Sequence, residues 1–150
     1  MKRNPRRTRR EPQALRLWNY DQARTAAPYI ASIVRSLREH TLDLQGWRRR
    51  LDVLSARPGR PDRKLLIAID EAKSELAAAE KNAQEALDEL QELDISPHDI
   101  LHGQVLVPFA QDDQLAWYIF DLFAPHHFQA WRYQSDPEST RRRLPAVFNS

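Results

Sequence analysis

The stretch SPHDILHGQVLVPF (96–109) divides the chain into a helical part and a part rich in strand-forming residues. Before it, apolar side chains recur at helical spacing, whereas after it the chain is apolar and aromatic. Ser96 and Pro97 are expected to end a helix, and HDILH (98–102) to form a turn or a single helical turn. Gly103 leads into QVLVPF (104–109), whose β-branched and apolar residues predict a strand. The sequence therefore predicts an α+β fold that is mainly α.

A first long helix is predicted to begin after Asn19. Asn19 can cap it, Gln22 follows three residues later as in a capping box, and Trp18 occupies the position of a staple residue. Pro28 falls inside this helix and predicts a kink. Two positions recur at heptad spacing: Ala23, Ile30, Leu37, Leu44 and Leu51 in one, and Ala26, Ile33, His40, Trp47 and Leu54 in the other. Such a stripe requires a partner helix, and His40 is expected to be a seam residue.

The partner is predicted to be a second helix that follows ARPGRPD (56–62). Proline and glycine end the first helix there, and Asp62 can cap the next one. The heptad repeats with Ile69, Leu76, Ala83 and Leu90 in one position, and Leu65, Ala72, Ala79, Ala86 and Leu93 in the other. A short loop between amphipathic helices predicts an antiparallel, coiled-coil-like hairpin. Residues 21–57 carry seven bases and four acids, and residues 62–94 carry ten acids and four bases, so flanking ion pairs are expected to set the orientation.

A small antiparallel sheet is predicted to lie near the open end of this hairpin. AQDD (110–113) reads as a turn, QLAWYIFDLF (114–123) as a strand that is apolar on both faces, APHH (124–127) as a break and FQAWRY (128–133) as a third strand. One face holds Leu115, Trp117 and Ile119, and the other holds Ala116, Tyr118, Phe120 and Leu122. We expect a single domain over 15–145, a disordered basic tail over 1–14 and a short C-terminal tail over 146–150.

Composition limits the possible functions. The chain has no cysteine, which excludes disulfides, thiol catalysis and cysteine-ligated metals. No apolar run approaches the roughly 20 residues that a membrane helix needs, and no apolar segment follows the basic N-terminus, so a cytoplasmic protein without a membrane partner is expected. There is no glycine-rich phosphate loop and no G-x-S-x-G motif, and only three glycines occur. No cofactor is expected, and a non-enzymatic role is favoured.

Four segments resemble parts of an uncharacterised bacterial family, domain of unknown function 2203. LWNYDQARTAAPYIASIVRSLREH (17–40) resembles the family's opening, and LDISPHDILHGQVLVPF (93–109) resembles its junction between helix and strand. LAWYIFDLFAP (115–125) and FQAWRY (128–133) are similar to its final strands, so the resemblance covers about 15–145. Arg132 stands where the family has His, and Ala124 replaces the Glu before Pro125. The family has no assigned activity, so the resemblance implies the fold and no function.

Five residues form one cluster of potential metal ligands. His98 and His102 are four residues apart and would share one face of a helical turn, and imidazole with carboxylate can hold zinc or a similar ion. No H-E-x-x-H motif accompanies them, and the alternative is a set of surface and turn histidines. The candidates are His98, Asp99, His102, His126 and His127.

Asp121 interrupts an otherwise apolar strand and is a possible general base. Partial burial would raise the pKa of its carboxyl, as a base that works near neutral pH requires. The alternative is an edge-strand acid that discourages aggregation. A metal-dependent or acid–base enzyme is therefore the third hypothesis for function.

Clustered basic residues suggest a second hypothesis, association with nucleic acid. Residues 1–16 carry seven basic side chains and one acid, and RRR (141–143) forms a further group. A set near the predicted hairpin tip could contact a phosphate backbone, although solvated helix faces are often this charged. These residues are Arg48, Arg49, Arg50, Arg57, Arg60, Arg63 and Lys64.

The aromatic residues of the sheet support the preferred hypothesis. They are most simply core, but the alternative is that one face stays open as an interface with a protein partner or a second copy. The set comprises Trp117, Tyr118, Phe120, Phe123, Phe128, Trp131 and Tyr133. Because two helices do not easily cover both faces of the sheet, the sequence favours a non-enzymatic interaction or scaffold module that self-associates.

Overall fold

The computed structural model describes residues 15–144 and shows two long helices followed by a five-stranded antiparallel sheet. The elements are α1 (Tyr20–Ser55), α2 (Arg63–Glu92), β1 (Ser96–Asp99), a 3-10 turn (Ile100–His102), β2 (Gln104–Gln111), β3 (Gln114–Asp121), β4 (Phe128–Tyr133) and β5 (Arg142–Arg143). The predicted α+β class is confirmed. The predicted basic tail (1–14) and C-terminal tail (146–150) lie outside the described residues.

Local capping determines where both helices begin, as predicted. The Asn19 side chain accepts a hydrogen bond of 2.8 Å from the backbone N–H of Gln22, whose own side chain accepts one of 3.0 Å from the backbone of Asn19. The Asp62 carboxylate accepts a 2.8 Å bond from the backbone N–H of Leu65. Each cap satisfies donors that the first turn leaves unpaired. α1 continues through Pro28 as one helix.

The heptad positions form the seam of an antiparallel helical hairpin. On α2 the buried side chains are Leu65, Ala72, Ala79, Ala86 and Leu90, a row whose alanines allow close approach of the helices. Around the far end of the hairpin, Leu54, Leu65 and Ala72 form a separate apolar cluster with Trp47, Leu51, Ala68 and Ile69, which we call the distal cluster. Neither α1 nor α2 contains a segment apolar enough to span a bilayer.

The sheet covers only one half of the hairpin. In its first half α1 buries Ala23, Ala27, Ile30, Ala31, Ile33, Val34 and Leu37, but from residue 41 to residue 55 it buries only Leu54. The extra burial arises because the first half of α1 packs on α2 and on the sheet in a single core. The distal half has α2 as its only partner within the described residues, and its remaining faces are open to solvent.

The five strands follow one another in chain order across the sheet. β2 and β3 are joined by Asp112 and Asp113, both with positive φ (54° and 63°), so the turn is two residues long and the strands extend further than AQDD predicted. β1 and β5 were not predicted: residues 96–99 pair with the open edge of β2, and the two-residue β5 pairs with β4.

The two faces of β3 separate as predicted. Tyr118 and Phe120 belong to the main core that the sheet shares with the helices. Trp117 and Ile119 lie on the other side, where they form a smaller apolar cluster with Leu106. We call this second side, which faces away from the helices, the outer face of the sheet.

Candidate functional site

The seven cations predicted to contact nucleic acid all lie exposed at the hairpin tip. Three end α1, two lie in the loop and two begin α2: Arg48, Arg49, Arg50, Arg57, Arg60, Arg63 and Lys64. Arg48 lies 3.5 Å from the carboxylate of Glu80, and within residues 15–144 the other six have no carboxylate in ion-pair range. The positive end of the α2 dipole adds to their potential. The structure therefore brings this set together as one basic surface, which we call the basic tip (47–64).

Exposed apolar side chains accompany the basic tip. Val53, Leu66 and Ile67 each keep more than half of their surface exposed. These apolar residues fall outside the heptad positions, and this mismatch was the signal in the sequence that could have identified them as exposed. Large exposed apolar residues beside cations are typical of surfaces that bind a partner.

A stripe of glutamates runs along α2 toward its C-terminal end. Successive residues are four, ten, four and three positions apart and so share one helix face; they are Glu71, Glu75, Glu85, Glu89 and Glu92. All five are exposed, and none has a cation within ion-pair range among the described residues. Of the flanking ion pairs that were predicted to set the orientation of the helices, the described residues contain one, between Arg48 and Glu80. We call these five residues the acidic stripe.

An apolar groove of about 490 Å³ lies at the opposite end of the hairpin from the basic tip. It is formed where α1 begins and α2 ends, and Trp18, Ala26, Tyr29 and Leu93 line it. Tyr29 remains 53% exposed. Leu93 directly follows Glu92 in the chain, so the groove adjoins the acidic stripe.

The five metal-ligand candidates do not form one group. Within the described part of the chain, no three His, Asp or Glu side chains are arranged to hold a metal ion. The His102 ring lies 2.9 Å from the Asp99 carboxylate, and its hydrogen bond lowers the pKa of that carboxyl. The His127 ring bonds to the Asp121 carbonyl at 3.0 Å and stacks on Phe120. The two remaining candidates are His98, on β1, and His126, in the loop before β4.

Asp121 ends the central strand of the sheet. β3 pairs with β2 on one side and β4 on the other, so the interpretation of Asp121 as an edge-strand acid is wrong. Its Oδ1 accepts a 3.0 Å hydrogen bond from the backbone N–H of Phe123. The carboxyl lies at a groove of about 640 Å³ on the outer face of the sheet, together with His126, Arg141 and Arg143. We call this the outer groove.

The aromatic residues proposed as an interface lie in different environments. Tyr118 and Phe120 are buried in the main core, and burial raises the pKa of the Tyr118 hydroxyl to about 12. Trp117 is 9% exposed on the outer face, and Trp131 is half-buried beside Arg142. Phe123 is 62% exposed, with the Arg38 guanidinium over its ring. The chain itself therefore covers most of the aromatic surface that a partner was expected to cover.

Comparison with known protein families identifies a match. The family described as "Uncharacterized conserved protein (DUF2203)" matches residues 16–121, from the segment before α1 to the end of β3. No curated protein and no solved structure is significantly similar to the chain. The match includes the helical hairpin and the first three strands, and it spans well over half of the sequence. The chain therefore belongs to the uncharacterised protein family known as domain of unknown function 2203.

Proposed function

We propose that this protein is a non-enzymatic interaction module that self-associates, with two helical hairpins side by side in opposite directions. The observation that carries the proposal is the separation of unpaired charge along one hairpin. Residues 47–64 hold seven basic and two acidic side chains, whereas residues 70–94 hold nine acidic side chains and two lysines. In an antiparallel pair, the basic tip of each copy meets the acidic stripe of the other.

The charges favour this arrangement because, within residues 15–144, the fold leaves most of them without ion-pair partners. One ion pair, between Arg48 and Glu80, joins the two charged segments within the described residues. A parallel pair would bring the basic tips together, and like charges in close contact are unfavourable. Opposite charges steer the two copies into the antiparallel orientation and raise their association rate.

Apolar contacts can supply affinity at both ends of the pair. Val53 lies among the tip arginines, and Tyr29 lies at the groove beside the acidic stripe, roughly 36 Å away along α1 at about 1.5 Å per residue. A two-fold axis would form each contact twice. Burying exposed apolar surface contributes about 25 cal/mol per Å².

Charge exchange between the two surfaces tests the proposal. Light scattering after size exclusion should give a dimer for the unmodified chain, and a monomer both for Arg57→Glu with Arg60→Glu and for Glu85→Lys with Glu89→Lys. Mixing the two variants should restore a mixed dimer. The control is Arg35→Glu, an exposed change outside both surfaces. A monomeric unmodified protein, or two variants that stay dimeric, would contradict the proposal.

Nucleic-acid binding is the second candidate, and it is favoured by the six tip cations that have no carboxylate partner within residues 15–144. Fluorescence anisotropy of a labelled DNA duplex should show binding that weakens steeply with salt. Each phosphate contact makes the slope of log K against log salt more negative by about 0.9. Arg48→Glu with Arg49→Glu should weaken it. Glu85→Lys with Glu89→Lys should not, which distinguishes this function from self-association. Binding that is absent or independent of salt would exclude it.

A further inference from the structure

The three consecutive arginines at the end of the chain do not share one role. Strand alternation turns Arg142 toward the helix side, where its guanidinium lies over the rings of Trp131 and Tyr133. It also donates two hydrogen bonds, of 2.8 and 3.0 Å, to the Asp136 carboxylate. Arg142 is therefore occupied in holding β5 against β4.

Arg141 and Arg143 line the outer groove instead. Arg143 pairs with Ala130 across β4 and β5, and Ala130 pairs with Ile119 on β3, so these three residues lie on the outer face of the sheet. Ala130 and Ile119 form an apolar floor, and Arg141 and Arg143 border it.

The charge of this groove is largely uncompensated. The Nη1 group of Arg141 donates hydrogen bonds of 2.9 Å to the carbonyls of Glu138 and Thr140. These bonds orient the guanidinium but do not neutralise its positive charge. Among the described residues, Arg143 has no carboxylate in ion-pair range. Asp121 is the only carboxylate that residues 15–144 contribute to the lining of the groove. Two guanidinium groups thus face one carboxylate.

We propose that the outer groove binds a small organic anion, whose carboxylate or phosphate group is held by Arg141 and Arg143. The planar guanidinium fork matches both groups, because it can donate two parallel hydrogen bonds to their oxygens. The apolar part of the ligand lies over Ile119 and Ala130. A volume of about 640 Å³ is within the range of about 300–1,000 Å³ that small-molecule sites occupy.

Other polar side chains in the lining of the groove add selectivity. Gln104 and Gln129 present amides that can donate and accept, and the Asp121 carboxylate can accept from a hydroxyl or ammonium group on the ligand. A ligand that carries such a donor at the end opposite its anionic group is therefore the best match. This site is separate from the hairpin surfaces, and the inference does not depend on the proposed self-association.

Titration of the full chain with phenyl phosphate and with benzoate tests this inference. Both probes combine an apolar ring with an anionic group, and isothermal calorimetry or the side-chain amide signals of Gln104 and Gln129 report binding. We expect saturable binding of at least one probe below about 10 mM. Binding of one probe alone identifies phosphate or carboxylate as the preferred group, and binding of both identifies the shared anion. Absence of saturation for both overturns the inference.

Variants with opposite expected effects locate the site. Arg143→Ala should weaken binding about tenfold, because it removes a charged hydrogen-bond donor. Asp121→Asn should tighten binding of these simple anions, because it removes the negative charge of this carboxylate and keeps the oxygen that accepts from Phe123. The control, Arg35→Ala, removes an equal charge at an exposed position of α1 outside the groove and the hairpin surfaces, and it should leave binding unchanged. Equal weakening by Arg35→Ala, or weakening by both groove variants, would overturn the inference.

Discussion

The indole nitrogen of Trp18 lies 3.1 Å from the carbonyl oxygen of Leu93, to which it donates a hydrogen bond. The backbone N–H of the same residue donates a 2.8 Å bond to the carbonyl of Pro108 on β2. Trp18 is 6% exposed and belongs to the main core. A residue that precedes α1 therefore connects the end of α2 to the sheet.

Replacing Trp18 by Phe should destabilise the protein by about 1–3 kcal/mol, because the part-buried carbonyl of Leu93 loses its donor. Trp18→Ala should cost more, about 3–5 kcal/mol, because it also leaves a cavity. Urea unfolding followed by circular dichroism measures both. Equal stabilities for the Phe variant and the unmodified protein would show that the hydrogen bond contributes nothing.

Gly103 is expected to tolerate no side chain. It has φ +70°, and a Cβ atom added there would lie 2.6 Å from the Cβ of Leu122. Gly103→Ala should therefore lower the free energy of unfolding by about 2–4 kcal/mol, from the left-handed backbone and the clash together.

Gly46 provides the matched control, since it lies inside α1 and nothing is within 4 Å of an added Cβ atom. Gly46→Ala should stabilise the protein by about 0.5–1 kcal/mol through helix propensity. Thermal unfolding of both variants should give melting temperatures that move in opposite directions. A shift of the same sign in both would contradict the assigned backbone roles.

The helix caps are expected to be worth about 1 kcal/mol each. Asn19→Ala removes the acceptor for the N–H of Gln22, and Asp62→Ala removes the acceptor for the N–H of Leu65. Because the sites are distant, the double variant should lose the sum of the two single effects in chemical unfolding. A double variant that is clearly less stable than this sum would indicate that the caps are coupled.

Stability should fall in acid through Asp136. Hydrogen bonds from Arg142 lower the pKa of its carboxyl from the ordinary 3.8 to about 2. The ionised form is favoured in the folded chain, so this contribution is present above about pH 4 and is lost as the pH falls toward 2. Asp136→Asn should be less stable than the unmodified protein at neutral pH, and its stability should change less between pH 4 and 2. If Asp136→Asn kept the acid dependence of the unmodified protein, this role of Asp136 would be contradicted.

The parts of the fold that could be predicted are those that depend on contacts between residues close together in the chain. Asn19 and Asp62 determine the starts of the helices through bonds to residues three positions later, and the heptad identifies the seam. β1 could not be predicted in this way. Its residues include Pro97 and His98, and they become a strand because the edge of β2 is free to pair with them.

The same distinction between contacts that are close and distant in sequence applies to the candidate sites. The basic tip could be located from the sequence because its cations flank one short loop. The outer groove could not, because strand pairing brings Arg143 near Asp121 and Gln104 from distant parts of the chain. The side to which each arginine of RRR turns also depends on the register of β5, which no local pattern specifies.

The distal cluster and the main core differ in the order in which a growing chain can complete them. Leu54 and Leu65 lie close in sequence on either side of a short loop, so the distal cluster can close as soon as α2 begins to form. Ala23 and Ile30 instead need Phe128 and Leu144, which are synthesised long after α1. We therefore expect the hairpin to form first at its tip, and the start of α1 to stay exposed until the strands of the sheet have been synthesised.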